Sequence, residues 1–188
     1  MRLFGSVFLA LAALSATVPA TAGSLLDYVG ECVPFARAAS GIQIYGNAWT
    51  WWEQADGRYK RGDDPRVGAV IVFAKSPKLR FGHVAVISRV VTQRVVMVTH
   101  ANWSRQNGER GHAEQDVTLT DVSRRGDWTS VKVWYRDSDG LGGSVYPVYG
   151  FVYGIPESDA PKAIAKASPA PELTGRNPDY VGALIDAY

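Results

Sequence analysis

Val67-Gly68-Ala69-Val70-Ile71-Val72-Phe73 is the stretch at which the hydrophobic pattern of this chain changes period. It is short, apolar and rich in β-branched residues, so it reads as a buried strand. Downstream the strands repeat. Gly82-His83-Val84-Ala85-Val86-Ile87-Ser88-Arg89-Val90 is the second, and Arg94-Val95-Val96-Met97-Val98-Thr99-His100-Ala101-Asn102-Trp103 is the third. The short Thr92-Gln93 connection between them predicts an antiparallel hairpin. Ser104 to Gln115 is polar and reads as a loop. Val117-Thr118-Leu119 and Val131 to Tyr135 are further strands, and Val145 to Tyr153 closes the sheet. Upstream of Val67 the pattern is helical. Helices first and strands later predict an α+β fold, with N-terminal helices packed on an antiparallel β-sheet.

The first helix is carried by Gly30-Glu31-Cys32-Val33-Pro34-Phe35-Ala36-Arg37-Ala38-Ala39-Ser40-Gly41. Pro34 suits a first helical turn, because it lacks an N–H and has a fixed φ. Gly41 is the stop. Cys32, the one cysteine of the chain, therefore falls at the helix N-terminus, where unpaired N–H groups and the macrodipole favour an anion. That setting predicts a thiol pKa drawn from about 8.5 towards 7. Cys32 reads as a nucleophile. A second helical stretch, Gly46 to Ala55, starts at Asn47 as N-cap and holds three tryptophans. Trp52 is expected in the core, and Trp49 or Trp51 as an exposed platform for a ligand.

The 188 residues, 46% hydrophobic and 20% charged, fit one domain with terminal segments. A net charge of +2 gives no ground for nucleic-acid binding. Arg2, the apolar run from Leu3 to Leu14 and Ala20-Thr21-Ala22 form a signal-peptide pattern, with cleavage expected after Ala22. The domain is expected over 23–156. An Ala/Pro-rich tail over 157–188, interrupted by prolines, is expected to be disordered. An exported chain with a lone cysteine has a thiol worth reading as reactive. The protein is expected to be secreted or periplasmic, free of the membrane after signal cleavage, and monomeric.

Thiol hydrolysis needs a nucleophile, an imidazole to carry its proton and a group to orient the imidazole. His83 opens a strand directly after Gly82, and His100 and Asn102 lie near the end of the next. Residues two apart share a strand face, so either can hold the His83 tautomer. No paired His or Cys spacing suggests a metal, and no Gly-x-Ser-x-Gly elbow suggests a serine nucleophile.

The ordered motifs Gly30 to Arg37, Gly46-Asn47-Ala48 with Trp52, Pro65 to Phe73, Gly82 to Ile87 and His100-Ala101-Asn102-Trp103 resemble those of the CHAP domain. This is the cysteine, histidine-dependent amidohydrolase/peptidase family, related to NlpC/P60 and papain-like enzymes. The resemblance covers about Leu25 to Pro156 and implies a papain-like fold, Cys32 as nucleophile and His83 as general base. The family commonly has Glu where His100 stands, a departure that resembles the NlpC/P60 arrangement. An amide often precedes the cysteine, where this chain has Glu31. His100 is favoured as the orienting group, with Asn102 kept as a site residue. Trp103 and Trp49 are candidate substrate contacts, and Tyr28 a candidate second oxyanion donor beside the Cys32 N–H. The resemblance implies amide-bond cleavage in peptidoglycan without metal or organic cofactor. A catalytically silent wall-binding scaffold and an amidase on a non-wall substrate are the rival readings.

Overall fold

The computed structural model describes residues 24–154. The expected signal segment 1–22, with its cleavage after Ala22, and the tail 157–188 lie outside the described residues. Two helices and eight strands are present: α1 (Cys32–Ser40), α2 (Trp51–Gln54), β1 (Lys60–Gly62), β2 (Val70–Phe73), β3 (His83–Val90), β4 (Val95–Ala101), β5 (Ala113–Asp121), β6 (Ser130–Tyr135), β7 (Gly140–Leu141) and β8 (Tyr146–Tyr153). Pro34 sits in the first turn of α1, and Gly41 ends it in the left-handed region at φ 75°. The second helical stretch is shorter than expected. Ala48–Thr50 is a 3-10 turn that runs into the single turn of α2, and the Asn47 side chain makes no capping bond.

Every strand pairing is antiparallel, in the order β1-β8-β2-β3-β4-β5-β6-β7. β8 also pairs with β6, through Ser130↔Pro147 and Val131↔Tyr146. That contact joins β8, β2, β3, β4, β5 and β6 into a closed six-stranded barrel, with β1 and β7 appended. The expectation of a papain-like α+β fold, with N-terminal helices packed on an open sheet, is therefore corrected. The molecule is mostly β.

The physical reason lies in the two faces of β2 and β3. All four residues of β2 and the first five of β3 are buried, so both sheet faces are apolar. The outer face, Val70, Val72, Val84 and Val86, is covered by Phe35, Ala36 and Ala39 of α1 together with Ile42, Ile44 and Trp51. One nine-residue helix and one turn cannot cover a second face. The inner face, Ile71, Phe73, Ala85 and Ile87, is buried instead by curling the sheet onto Val98, Leu119, Trp128, Val133 and Phe151. Register shifts at Val72/Phe73, Ile87/Arg89 and Val98/His100 add the local twist that closure needs. Among the tryptophans, Trp51 is the one fully buried, whereas Trp52 is half-buried and stacks on Tyr149 at 6.4 Å. Trp52 packs against the edge of the outer core, and of the two platform candidates, Trp49 and Trp51, Trp51 is corrected to a core residue.

Candidate active site

Cys32 is the first residue of α1 and is 9% exposed. Glu31, at the N-cap position, makes no side-chain capping bond. Its Oε2 accepts from Asn102 Nδ2 at 2.7 Å, which ties the start of the helix to the end of β4. Burial pushes the Cys32 thiol up to about 11. The Val84 backbone amide opposes that rise, the Glu31 charge adds to it, and the amides of Cys32 and Val33 oppose it weakly. The expected drop towards 7 is thus overturned. A helix N-terminus favours the thiolate, but here removal from water costs more than the amides return. The resting group is a thiol.

His83 opens β3 because Gly82 can take φ +69°. A Cβ at Gly82 would lie 2.6 Å from the Trp49 backbone nitrogen and 2.8 Å from the Phe73 carbonyl oxygen. Only glycine fits there. Side chains alternate along β3, so His83 lies on the barrel side with Ala85 and Ile87. Its ring packs 5.3 Å from Phe73 and 4.8 Å from Trp103, centre to centre. Burial, then repulsion between the charged forms of His83 and His100 and from Arg110, hold His83 well below its usual value. It is neutral at neutral pH.

His83 Nε2 lies 3.0 Å from His100 Nδ1. His100, on β4, is fully buried and stands opposite Glu114 of β5 in the register. His100 Nε2 lies 3.4 Å from Glu114 Oε2, and Arg136 Nη2 lies 3.4 Å from Glu114 Oε1. The Ser104 backbone N–H donates to Glu114 Oε2 at 3.0 Å. Burial alone would raise the Glu114 carboxyl, but His100 and Ser104 outweigh it and hold the group below its usual range. Glu114 is therefore a carboxylate.

The carboxylate orders the protons along this row. Glu114 can only accept, so in neutral His100 the tautomer with N–H at Nε2 faces the carboxylate, 3.4 Å away, and leaves a lone pair at Nδ1. With His100 in that tautomer, His83 donates from Nε2 to His100 and keeps a lone pair at Nδ1. Among the described residues no hydrogen bond engages that atom, and His83 lines the same cavity as Cys32. A neutral base and a neutral thiol thus share one wall.

The cavity is about 670 Å³ and lies where the start of α1 meets the rim of the barrel. Of the residues singled out in the sequence, Cys32, His83, Asn102 and Trp103 line it, and His100 stands behind His83. Asn102, at φ 64°, faces Glu31 rather than the imidazoles. Tyr28 is outside the wall, and its hydroxyl donates to the Glu31 carbonyl at 2.9 Å, so it is not free as an oxyanion donor. Trp49 is also outside the wall, half-buried with Lys75 Nζ 5.7 Å from its ring centre. Trp103 shelters the imidazole pair, and its buried Nε1 makes no hydrogen bond among the described residues. Sequence reasoning missed Glu114, Arg110 and the exposed rim aromatics Tyr45 and Phe81. Glu114 had a signal: extending the fifth strand back to Ala113 puts it across from His100. No group of three or more His, Cys, Asp or Glu side chains converges as metal ligands among the described residues.

Residues 23–102 match the family model of the CHAP domain. The matched stretch includes Cys32, His83, His100 and Asn102, and ends before Trp103, Arg110 and Glu114. CHAP domains are typically amidase or peptidase domains of a peptidoglycan-related hydrolase family. No curated protein matches the chain.

Proposed function

From the match of residues 23–102 to the CHAP domain model, we propose that the chain is an exported cysteine hydrolase of the cell envelope. Its substrate on this reading is an amide bond of peptidoglycan, cut as an N-acetylmuramoyl-L-alanine amidase or as an endopeptidase. The observation that carries the reading is the buried row His83–His100–Glu114, which opens on the same cavity as Cys32. A buried carboxylate aligned through one imidazole onto another is costly unless it serves charge development.

The reaction follows from the protonation states. The substrate carbonyl enters the cavity, and Cys32 Sγ attacks its carbon while His83 Nδ1 takes the thiol proton. Proton transfer accompanies attack, because a thiol held near 11 gives little thiolate beforehand. The imidazolium formed on His83 is stabilised through His100 by Glu114. The tetrahedral oxyanion accepts from backbone amides at the start of α1. Collapse breaks the C–N bond, and His83 returns its proton to the leaving nitrogen, giving a thioester on Cys32. His83 next deprotonates a water that attacks the thioester. The acyl group leaves as a carboxylic acid, and Cys32 regains its proton. A positioned base of this kind contributes about 10² to 10⁴ in rate.

Digestion of purified peptidoglycan by the protein, wild type beside Cys32→Ala, tests the reading, with the released ends identified by mass spectrometry. Wild type is expected to generate new amide-derived ends, and Cys32→Ala none. Absence of release from wild type across pH and wall types would sink the proposal and favour a silent wall-binding scaffold. Retained cleavage of simple amides in that case would favour a non-wall amidase.

A further inference from the structure

The cavity around Cys32 carries a charge that the rest of the chain does not. The whole sequence is nearly balanced, with 20 Lys and Arg against 18 Asp and Glu. The cavity wall holds Arg37, Lys78, Arg80 and Arg110 against the single carboxylate of Glu31. None of these four cations meets a carboxylate among the described residues, although Arg61, Arg94, Arg125 and Arg136 each do. Their partners are neutral oxygens. Arg37 Nη2 donates to Gln43 and Tyr45, Lys78 Nζ to Ser144 Oγ, and Arg110 Nη1 to the Trp103 carbonyl. Arg80 makes no hydrogen bond or ion pair among the described residues.

Four unneutralised cations around one concave site repel each other and hold a positive potential there. That costs stability unless a bound anion relieves it. We propose that the cavity binds a substrate segment bearing free carboxylates, an acidic peptide rather than an amidated or uncharged one. The inference rests on the hydrolase reading and narrows its substrate: the matching material is a stem peptide whose D-glutamate α-carboxylate is unamidated. Arg80 and Lys78, both exposed on the loop between β2 and β3, are the cations with the freest reach to it. Arg110 stands closer to the chemistry, since its charge is felt at His83. A carboxylate bound near Arg110 offsets that charge and makes His83 the stronger base.

The test is titration calorimetry of two synthetic stem peptides, identical except for a free α-carboxylate or its carboxamide. The protein is Cys32→Ala, which cannot turn them over. The carboxylate peptide is expected to bind about tenfold more tightly at low salt, the difference shrinking at about 1 M salt. Adding Arg80→Gln and Lys78→Gln is expected to remove most of that preference while the carboxamide peptide binds as before. Equal affinity for the two peptides, or a preference the added substitutions leave intact, overturns the inference. Binding of neither peptide by a protein whose wild type digests peptidoglycan overturns it too, and leaves the hydrolase standing. A retained preference in a protein whose wild type releases nothing from peptidoglycan keeps the anion site and removes the hydrolase.

Discussion

Glu114 is buried with 2% of its side chain exposed, and within 3.4 Å of its oxygens lie the side chains of His100 and Arg136 and the backbone N–H of Ser104. Gln at this position keeps the shape and an acceptor oxygen but loses the charge that stabilises an imidazolium two residues away in space. Glu114→Gln is expected to lower kcat by about 10² with little change in KM, because the loss falls on charge that develops during attack. The acid limb of the pH–rate profile should also move to lower pH, since His83 becomes harder to protonate. Steady-state kinetics between acid and neutral pH read both. The same fall in kcat with no movement of the acid limb would make Glu114 a structural residue only. At this scale the sequence carried Cys32 and His83 through their local settings, a helix start and a Gly-His strand start. It left His100 and Asn102 open, because two residues on one face are equivalent until the partner strand is placed. The fold gives His100 to His83 and Asn102 to Glu31.

At the scale of elements, Cys32 and His83 are held by a helix N-terminus and a strand N-terminus that meet at one cavity on the barrel rim. α1 lies on the outer face of β3 through Phe35, Ala36 and Ala39, while His83 faces the other layer. Gly82 fixes the backbone at the start of β3, because the Trp49 backbone and the Phe73 carbonyl crowd the space a side chain would use. Gly82→Ala combines a left-handed φ of +69° with three contacts under 3.0 Å against backbone. The backbone must shift at the residue before His83. Thermal unfolding is expected to show a loss of about 1–3 kcal/mol, and activity at permissive temperature a larger fall than the loss of folded protein explains. A variant with unchanged melting temperature and activity would show that His83 is positioned by the barrel alone. The strands were legible because their apolar runs are short and β-branched; the start of β5 was not, because Ala113 to Asp116 alternates polar and small residues like a loop.

At the scale of the whole molecule, closing the barrel puts titratable groups where water cannot follow. His83 in the folded protein is held well below its ordinary 6.5, so between those two values the unfolded chain binds a proton that the native state does not. Stability is therefore complete above pH 6.5 and falls as pH drops towards the folded value, at up to about 1.4 kcal/mol per unit. Glu114, held below its ordinary 4.5, adds a second loss only beneath that pH. Melting temperature is expected to decline from pH 6.5 downward in wild type and to stay flatter in His83→Gln. A wild-type profile level from pH 8 to pH 5 would contradict the burial of a neutral imidazole.

The sequence by itself determined the centres of the six barrel strands, where α1 begins and ends, and that the thiol and one histidine stand at element starts, but not the short strands β1 and β7. These follow from periodicity, proline and glycine, which act over a few residues. Tertiary structure decided the rest. Whether the sheet stays open or closes depends on two residue pairs between β6 and β8, and on how little helix is available to cover an apolar face. The ionisation of Cys32 followed the same rule: the helix start is a local feature, but the burial that pushes the thiol up to about 11 is a sum over every element packed around it. Glu114 entered the site across a strand pairing, and the cations gathered around the cavity from α1, a loop and the segment before β5. Such coincidences in space have no period along the chain, so only the folded molecule contains them.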